Sequence, residues 1–141
     1  MERRLLSGGE EAEWKAMDQA GKCVAERLVV DFSEIGGFPQ EGRILLLVGK
    51  GHNGGDALIA TRALLQRYLM AQVEVCFVFG ERSLRPLAKR AWRDLLQSAA
   101  HRVVVRQSDD ALGSYELCLD GVFGFQFRPP MDAAVGRFLA H

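Results

Sequence analysis

The 141-residue chain is 48% apolar and 26% charged, the balance of one globular domain with a core of ordinary size, and this excludes a disordered chain. Its 18 basic side chains match 18 acidic ones, so it lacks the broad field that draws nucleic-acid and anionic-membrane binders to their partners. No apolar run approaches membrane-spanning length, and the stretch from Met1 to Glu11 lacks the apolar centre of a secretion signal, so a cytoplasmic place is expected.

Ser7 and Glu10 fit a capping box and predict a helix starting there, with Trp14, Met17, Gly21, Val24, Leu28 and Phe32 on one face. The turn-rich stretch from Ile35 to Gly42 connects it to a strand. The unbroken apolar run Ile44 to Val48 suits a strand of a parallel sheet buried on both faces. Gly49, Gly51, Gly54 and Gly55 then predict a tight loop, and the apolar spacing from Ala57 predicts a helix from Asp56 onward. Val73 to Phe79 reads as a second strand, Leu84 to Ala99 as a second sheet helix, and Val103 to Val105 as a third strand. The charged face of that helix, with Arg85, Lys89, Arg90, Arg93 and Asp94, reads as a solvated surface. Ser108 to Ser114 is turn-like, Tyr115 to Leu119 reads as a fourth strand ending at Asp120, and Met131 to Leu139 begins another amphipathic pattern. Alternation of this kind implies an α/β domain with right-handed crossovers, whose ligands sit beyond the carboxyl ends of the strands. Cys23, Cys76 and Cys118 fall in apolar patterns and are expected to be buried thiols; no spacing suits zinc.

The glycine loop bears the chemistry. Gly49, Gly51 and Gly54 satisfy a dinucleotide fingerprint, and Glu74 lies about twenty residues on, where that fingerprint places its acidic residue. Asp56 argues against a plain phosphate cradle, because its carboxylate competes for the same donors and repels the anion. The oxygens of Asn53 and Asp56 suit an alkali or alkaline-earth cation; the same two residues equally suit a capping role. Asp120, closing a buried strand at the same edge, has the same two readings, cation ligand or turn cap.

Gly49-Lys50-Gly51-His52-Asn53-Gly54-Gly55-Asp56 resembles the G-x-G-N-N-G-G-D-G loop of the YjeF N-terminal domain family. In the same order along the chain, Asp120-Gly121-Val122-Phe123-Gly124 is similar to the family's D-x-[LIV]-F-G segment, and Ala16 to Gly21 resembles its L-M-x-x-A-G element. The resemblance implies a Rossmann-like three-layer sandwich with a mainly parallel sheet and an N-terminal helix. It further implies epimerisation at C6 of hydrated NADH or NADPH (NADHX or NADPHX), in which the two epimers interconvert so that a partner dehydratase can repair the cofactor. By the same resemblance Asn53 and Asp120 would hold a potassium ion. His52, Asn53, Gly54, Gly55 and Asp56 would contact the substrate, together with Gly124, Phe125, Gln126, Phe127, Arg128, Pro129 and Pro130. Arg128 would reach a phosphate.

Two features depart from the family. His52 replaces the first Asn of the pair, and Ala57 replaces the Gly that usually follows Asp56. The family's later D-x-P-S-G-like segment, with a further Asp and Ser, is absent from residues 1–141, so the domain is expected to be incomplete at its C-terminus and the catalytic acid/base residue is not assigned. The resemblance allows a homodimer and involves neither nucleic acid nor membrane. Two rival readings stand beside the enzyme: a non-catalytic interaction or ligand-binding module on the same fold, and a Rossmann NAD-binding oxidoreductase resting on the glycines and Glu74.

Overall fold

The computed structural model describes residues 2–49, 51–107, 113–122 and 126–128, with the backbone alone for 2–8, 52 and 126–128. Helix α1 spans Glu2–Glu34, followed by β1 (Arg43–Val48), α2 (His52–Arg67), β2 (Gln72–Phe77), α3 (Pro86–Ala99), β3 (Val103–Arg106), β4 (Leu117–Gly121) and β5 (Gln126–Arg128). The strands form one sheet in the order β3-β2-β1-β4-β5. The first four are parallel, and β5 runs antiparallel to β4. The α/β class, the mainly parallel sheet and the N-terminal helix therefore stand as expected.

Sheet order fixes where a ligand can sit. From β1 the chain steps outward through α2 to β2 and through α3 to β3, then returns past β1 to add β4 on its other side. The direction of winding reverses between β1 and β4, which opens a crevice at their carboxyl ends. α2 packs across β1 and β4 and is flanked by α1 and α3.

Alternation along the strands divides the core. Ile44, Leu46, Val48, Val73, Val75, Phe77, Leu117 and Leu119 pack against apolar side chains of all three helices. On the opposite face Leu45, Leu47, Cys76, Tyr115 and Cys118 form a second buried cluster that contains no helical residue. Among the described residues the helical layer thus lies on one side. Both clusters bury β1 completely enough that Ile44, Leu45 and Leu46 have no exposed surface, as the unbroken apolar run required.

Several expectations are corrected. α1 begins at Glu2, so Ser7 lies inside the helix; Arg3, Arg4, Leu5 and Leu6 all favour helix, and nothing there stops it. Cys23 is exposed, because the buried stripe of α1 runs through Trp14, Met17, Ala25, Leu28 and Phe32 and leaves it on the flank. β2 ends at Phe77 because β1 ends opposite it at Val48; Val78 makes one last hydrogen bond to the Val48 carbonyl, and Gly80, at φ 85°, turns the chain. α3 starts at Pro86, which fills the first helical position, where a missing N–H costs nothing. β4 runs to Gly121 rather than Leu119, since Asp120 and Gly121 pair with Leu47 and Val48. The helix anticipated after Met131 lies outside the described residues.

Candidate functional site at the carboxyl edge of β1 and β4

The loop after β1 is shorter than its glycines suggest. α2 already begins at His52, with Gly51 as its cap residue, so Asn53, Gly54, Gly55 and Asp56 are helical rather than part of the turn. None of Gly49, Gly51, Gly54 and Gly55 has a positive φ. Their value is the missing side chain. A Cβ on Gly54 would stand 2.8 Å from the Gly49 carbonyl oxygen and 2.9 Å from a methyl of Val48; one on Gly49 would stand 3.0 Å from the Gly121 carbonyl oxygen. One on Gly55 would meet the Met17 sulfur at 2.5 Å. The first turn of α2 is therefore seated directly on the end of β1 and under α1.

The second motif closes on the first. The Gly49 N–H donates to the Gly121 carbonyl at 3.2 Å, and a Cβ on Gly121 would stand 2.8 Å from the carbonyl oxygen of Asn53. Asp120, only 2% exposed, sits one residue before this contact, opposite Leu47 of β1. Its Oδ1 accepts a 2.9 Å hydrogen bond from the Val122 N–H, so the turn-cap reading of Asp120 describes a bond that exists. Nothing in that bond removes the charge. Among the described residues no ion pair involves Asp120, and a buried carboxylate needs a compensating charge or donors.

Among the described residues no group of three or more His, Cys, Asp and Glu side chains gathers as a metal cluster, which is what a transition-metal site would use. An oxygen shell built from one carboxylate, an amide and backbone carbonyls is a different chemistry, suited to a hard, weakly bound cation. Of the two residues that the resemblance names for such a shell, Asn53 brings its backbone carbonyl against Gly121 and Asp120 precedes that glycine in β4. Gly51, at the cap position of α2, has no side chain with which to cap the helix. Asp56, half-buried at the fifth helical position, lines an open hollow of about 310 Å³ with Glu13, Ala16, Met17 and Ala20 of α1.

Other assigned residues are placed less tightly. In the antiparallel ladder Gln126 lies opposite Asp120, Phe127 opposite Leu119 and Arg128 opposite Cys118. β5 therefore carries the chain away from the carboxyl edge, and Arg128 is set back by two residues, about 7 Å along the strand. The sequence reading had no strand here. The backbone of His52 opens α2, while Gly124, Phe125, Pro129 and Pro130 lie outside the described residues.

Glu74 has a different office from the one its spacing implied. It lies in mid-strand on β2, buried, paired in register with Leu45 rather than at the ligand edge. Arg43 and Arg106 pair with its carboxylate, the latter at 3.1 Å, and the Tyr115 hydroxyl donates to it. Burial pushes the Glu74 carboxyl up, but hydrogen bonds from Tyr115, Arg106 and Arg43 outweigh it and bring the group below its ordinary value. Burial and the bond to Glu74 raise the Tyr115 phenol in turn. This network joins β1, β2, β3 and the segment entering β4, and it leaves no carboxylate for a ribose.

A carboxylate and a glycine-seated helix at a winding reversal are the geometry that comparison with known proteins can test. The profile of a family described as YjeF-related protein N-terminus matches residues 14–141. The chain belongs to this family. It is 35% identical over 140 residues to a bifunctional NAD(P)H-hydrate repair enzyme Nnr of Gloeobacter violaceus, an alignment covering 99% of this chain and 25% of that protein. It is 33% identical over 97 residues to an NAD(P)H-hydrate epimerase of Bordetella pertussis, covering 69% of this chain and 40% of the other. The Paramecium tetraurelia NAD(P)H-hydrate epimerase is 28% identical over 116 residues and is covered to 45%. The chain thus spans less than half the length of these curated relatives. In fold it matches the crystal structure of yeast ynu0, YNL200c, with a TM-score of 0.55 at 24% identity, over 86% of this chain and 51% of that one. Membership of the YjeF-related family makes the ordered pair of motifs, and not the single glycine fingerprint, the informative signal.

The sequence reading left Gly21 and Gly121 without a role. A Cβ on Gly21 of α1 would stand 2.6 Å from Ile59 and 2.9 Å from the Asp56 carbonyl oxygen, so the Ala16 to Gly21 element is a seat for α2. Its signal was the small residue one turn from Met17 on the buried face.

Proposed function

We propose that this chain carries the cation-holding and substrate-holding part of an NAD(P)H-hydrate epimerase, acting on NADHX or NADPHX. The observation that bears most weight is the closure of the first motif on the second at the β1/β4 crevice, where Gly121 meets the Asn53 carbonyl and the buried Asp120 precedes it by one residue. In this reading Asn53 and Asp120 hold a potassium ion, which when bound supplies positive charge at the carboxyl edge. The early turns of α2, His52 to Asp56, present backbone donors and polar side chains to the hydrated dinucleotide. The remaining substrate contacts are assigned, by the family resemblance alone, to the segment from Gly124 to Pro130. The reaction also needs a group that moves a proton near the hydrated ring. We assign that group to the part of the relatives' length that this chain does not span. A functional link to a dehydratase, assembly as a homodimer and a cytoplasmic place belong to the same reading; the name of the bifunctional Gloeobacter relative supports the first. No described helix is long and apolar enough to cross a membrane.

Geometry disfavours the rivals. The oxidoreductase reading needed Glu74 at the ligand edge, and Glu74 is consumed by Arg43, Arg106 and Tyr115. The module reading leaned partly on Ala57, which is fully buried beneath the site and presents nothing to a ligand.

Epimerisation of (R)-NADHX followed by NMR, with and without potassium, tests the proposal on this chain and on one extended to the relatives' length. Acceleration above the spontaneous rate in the extended chain, dependent on potassium, is expected. No acceleration in either would leave the interaction module as the better account.

A further inference from the structure

We propose that the outer flank of α3 docks an acidic segment of another protein, whose carboxylates meet Arg82, Lys89 and Arg93 and whose apolar side chain enters the hollow among them. That hollow, open and of about 550 Å³, is bounded by α3 and by the turn Glu81–Ser83 that precedes it. Buried Leu84 and Trp92 and half-buried Leu96 supply its apolar lining, and the three cations at its rim are exposed. It is separate from the β1/β4 crevice. Ser98, whose hydroxyl accepts a hydrogen bond from Arg62 of α2, marks the flank of α3 that faces α2, and the helical repeat sets Lys89, Arg93 and Leu96 on the other flank.

Charge sets this face apart. From Arg82 to Arg93 the chain carries five basic residues and no acidic one, Arg82, Arg85, Lys89, Arg90 and Arg93, against an overall balance of 18 and 18. Arg85, Lys89 and Arg93 follow one another at four-residue spacing, which stacks like charges on one face of the helix and destabilises it by repulsion. On α1 the same spacing is used in the opposite sense, Lys22 pairing with Asp18 at 2.7 Å and Arg27 with Asp31. Arg90 is spent on Glu11 and on the face of Trp14. Arg82, Lys89 and Arg93 have no hydrogen bond or ion pair with any described residue. Glu81, the one carboxylate at the hollow, accepts the Trp92 indole N–H at 2.9 Å.

The receiving surface is already formed. Gly80 turns the chain out of β2 at φ 85°, and the hydroxyl and N–H of Ser83 both donate to the Gly80 carbonyl, at 2.7 and 3.1 Å. The bond from Trp92 to Glu81 ties that turn to α3, and Trp92 meets Phe77 of β2 edge-on with ring centroids 4.9 Å apart. Docking therefore has little to order beyond three long side chains. Cations around an apolar lining suit carboxylates that flank an apolar side chain. A nucleic acid would need a longer positive track and exposed aromatic faces, whereas Trp92 is buried with its N–H engaged. An anionic bilayer would need apolar side chains that project, and those of the hollow are recessed.

The test is fluorescence anisotropy of a labelled peptide in which glutamates flank a central leucine and phenylalanine, titrated with the purified chain at low and at physiological salt. Saturable binding that weakens with salt is expected. Lys89→Glu should weaken it about tenfold, the order of one charge-assisted hydrogen bond. The same variant should not lower the melting temperature, because a glutamate between Arg85 and Arg93 replaces two repulsions by two attractions. Lys15→Glu makes the same change of net charge on α1 and should leave the affinity as it was. Absence of saturable binding by the parent chain overturns the proposal. Equal weakening in the two variants also overturns it, since net charge would then account for the attraction. So does equally tight binding of a peptide with serines in place of the apolar pair. Tighter binding of a single-stranded RNA of the same length, or of phosphatidylserine vesicles, overturns it in favour of that partner.

Discussion

Glycines near the site act through contact, and the two that seat α1 on α2 differ in what they meet. At Gly21 the obstruction is the branched carbon of Ile59, at 2.7 Å, and the Asp56 carbonyl; at Gly55 it is the end of the Met17 thioether. A methionine rotates aside, and a β-branched side chain on a facing helix does not. Gly21→Ala is therefore expected to cost about 2–3 kcal/mol and Gly55→Ala about 1 kcal/mol or less, read from urea melts. Equal losses would mean that the helices shift as rigid bodies. Asp120 offers a sharper division between its two roles. Asp120→Asn keeps an oxygen for the Val122 N–H but removes the charge. If the carboxylate serves a cation, this variant gains on the order of 1 kcal/mol of stability in cation-free buffer, where a buried charge is a burden, and loses its response to potassium. A turn cap alone predicts no change in that response.

At the scale of elements, legibility followed burial. β1 was plain in the sequence because both faces are covered, leaving Ile44 to Val48 no polar interruption. The start of α2 was misplaced because Gly54 and Gly55 suggest a loop, when their role is to let a helix meet Val48 and Met17 closely. β5 was invisible: three residues show no alternation, and its ladder partner is set by β4. The contact between Asn53 and Gly121 was legible only as two motifs in order, since a chain of strands does not by itself announce which of its ends abut. Glu74 was misassigned for a physical reason, its partners Arg43, Arg106 and Tyr115 coming from three other segments. That network has a pH signature. Because the folded state holds the Glu74 carboxyl below its ordinary value, its contribution is present above about pH 4.5 and is lost as the pH falls through the folded value. Glu74→Gln should flatten the acid limb of the stability profile and cost on the order of 2 kcal/mol at neutral pH, less than a fully buried pair because both arginines are partly exposed. An acid limb as steep as the parent's would place the titrating carboxylate elsewhere.

For the molecule as a whole, the two faces of the sheet and the outer helix give the three cysteines separate fates. All three are thiols: Cys23 on the exposed flank of α1, Cys76 and Cys118 in the cluster behind the sheet at 6% and 0% exposure. Cys76 belongs to β2 and Cys118 to β4, the two strands that flank β1. Both side chains stand on the same face of the sheet within one buried cluster, so exposing either requires that this cluster be opened. Cys23 needs no such opening. Reaction with an aromatic disulfide reagent should therefore show one thiol modified at the rate of a free peptide cysteine. The other two should be released together, at a rate that follows global unfolding and rises with urea. If the proposed potassium site exists, potassium should slow that second phase and leave the first untouched, since a bound cation would stabilise the folded state by mass action without covering Cys23. A second phase in which Cys118 reacts well before Cys76 would show that β4 detaches from β1 on its own, and would place the weakest part of the sheet at the crevice that holds the site.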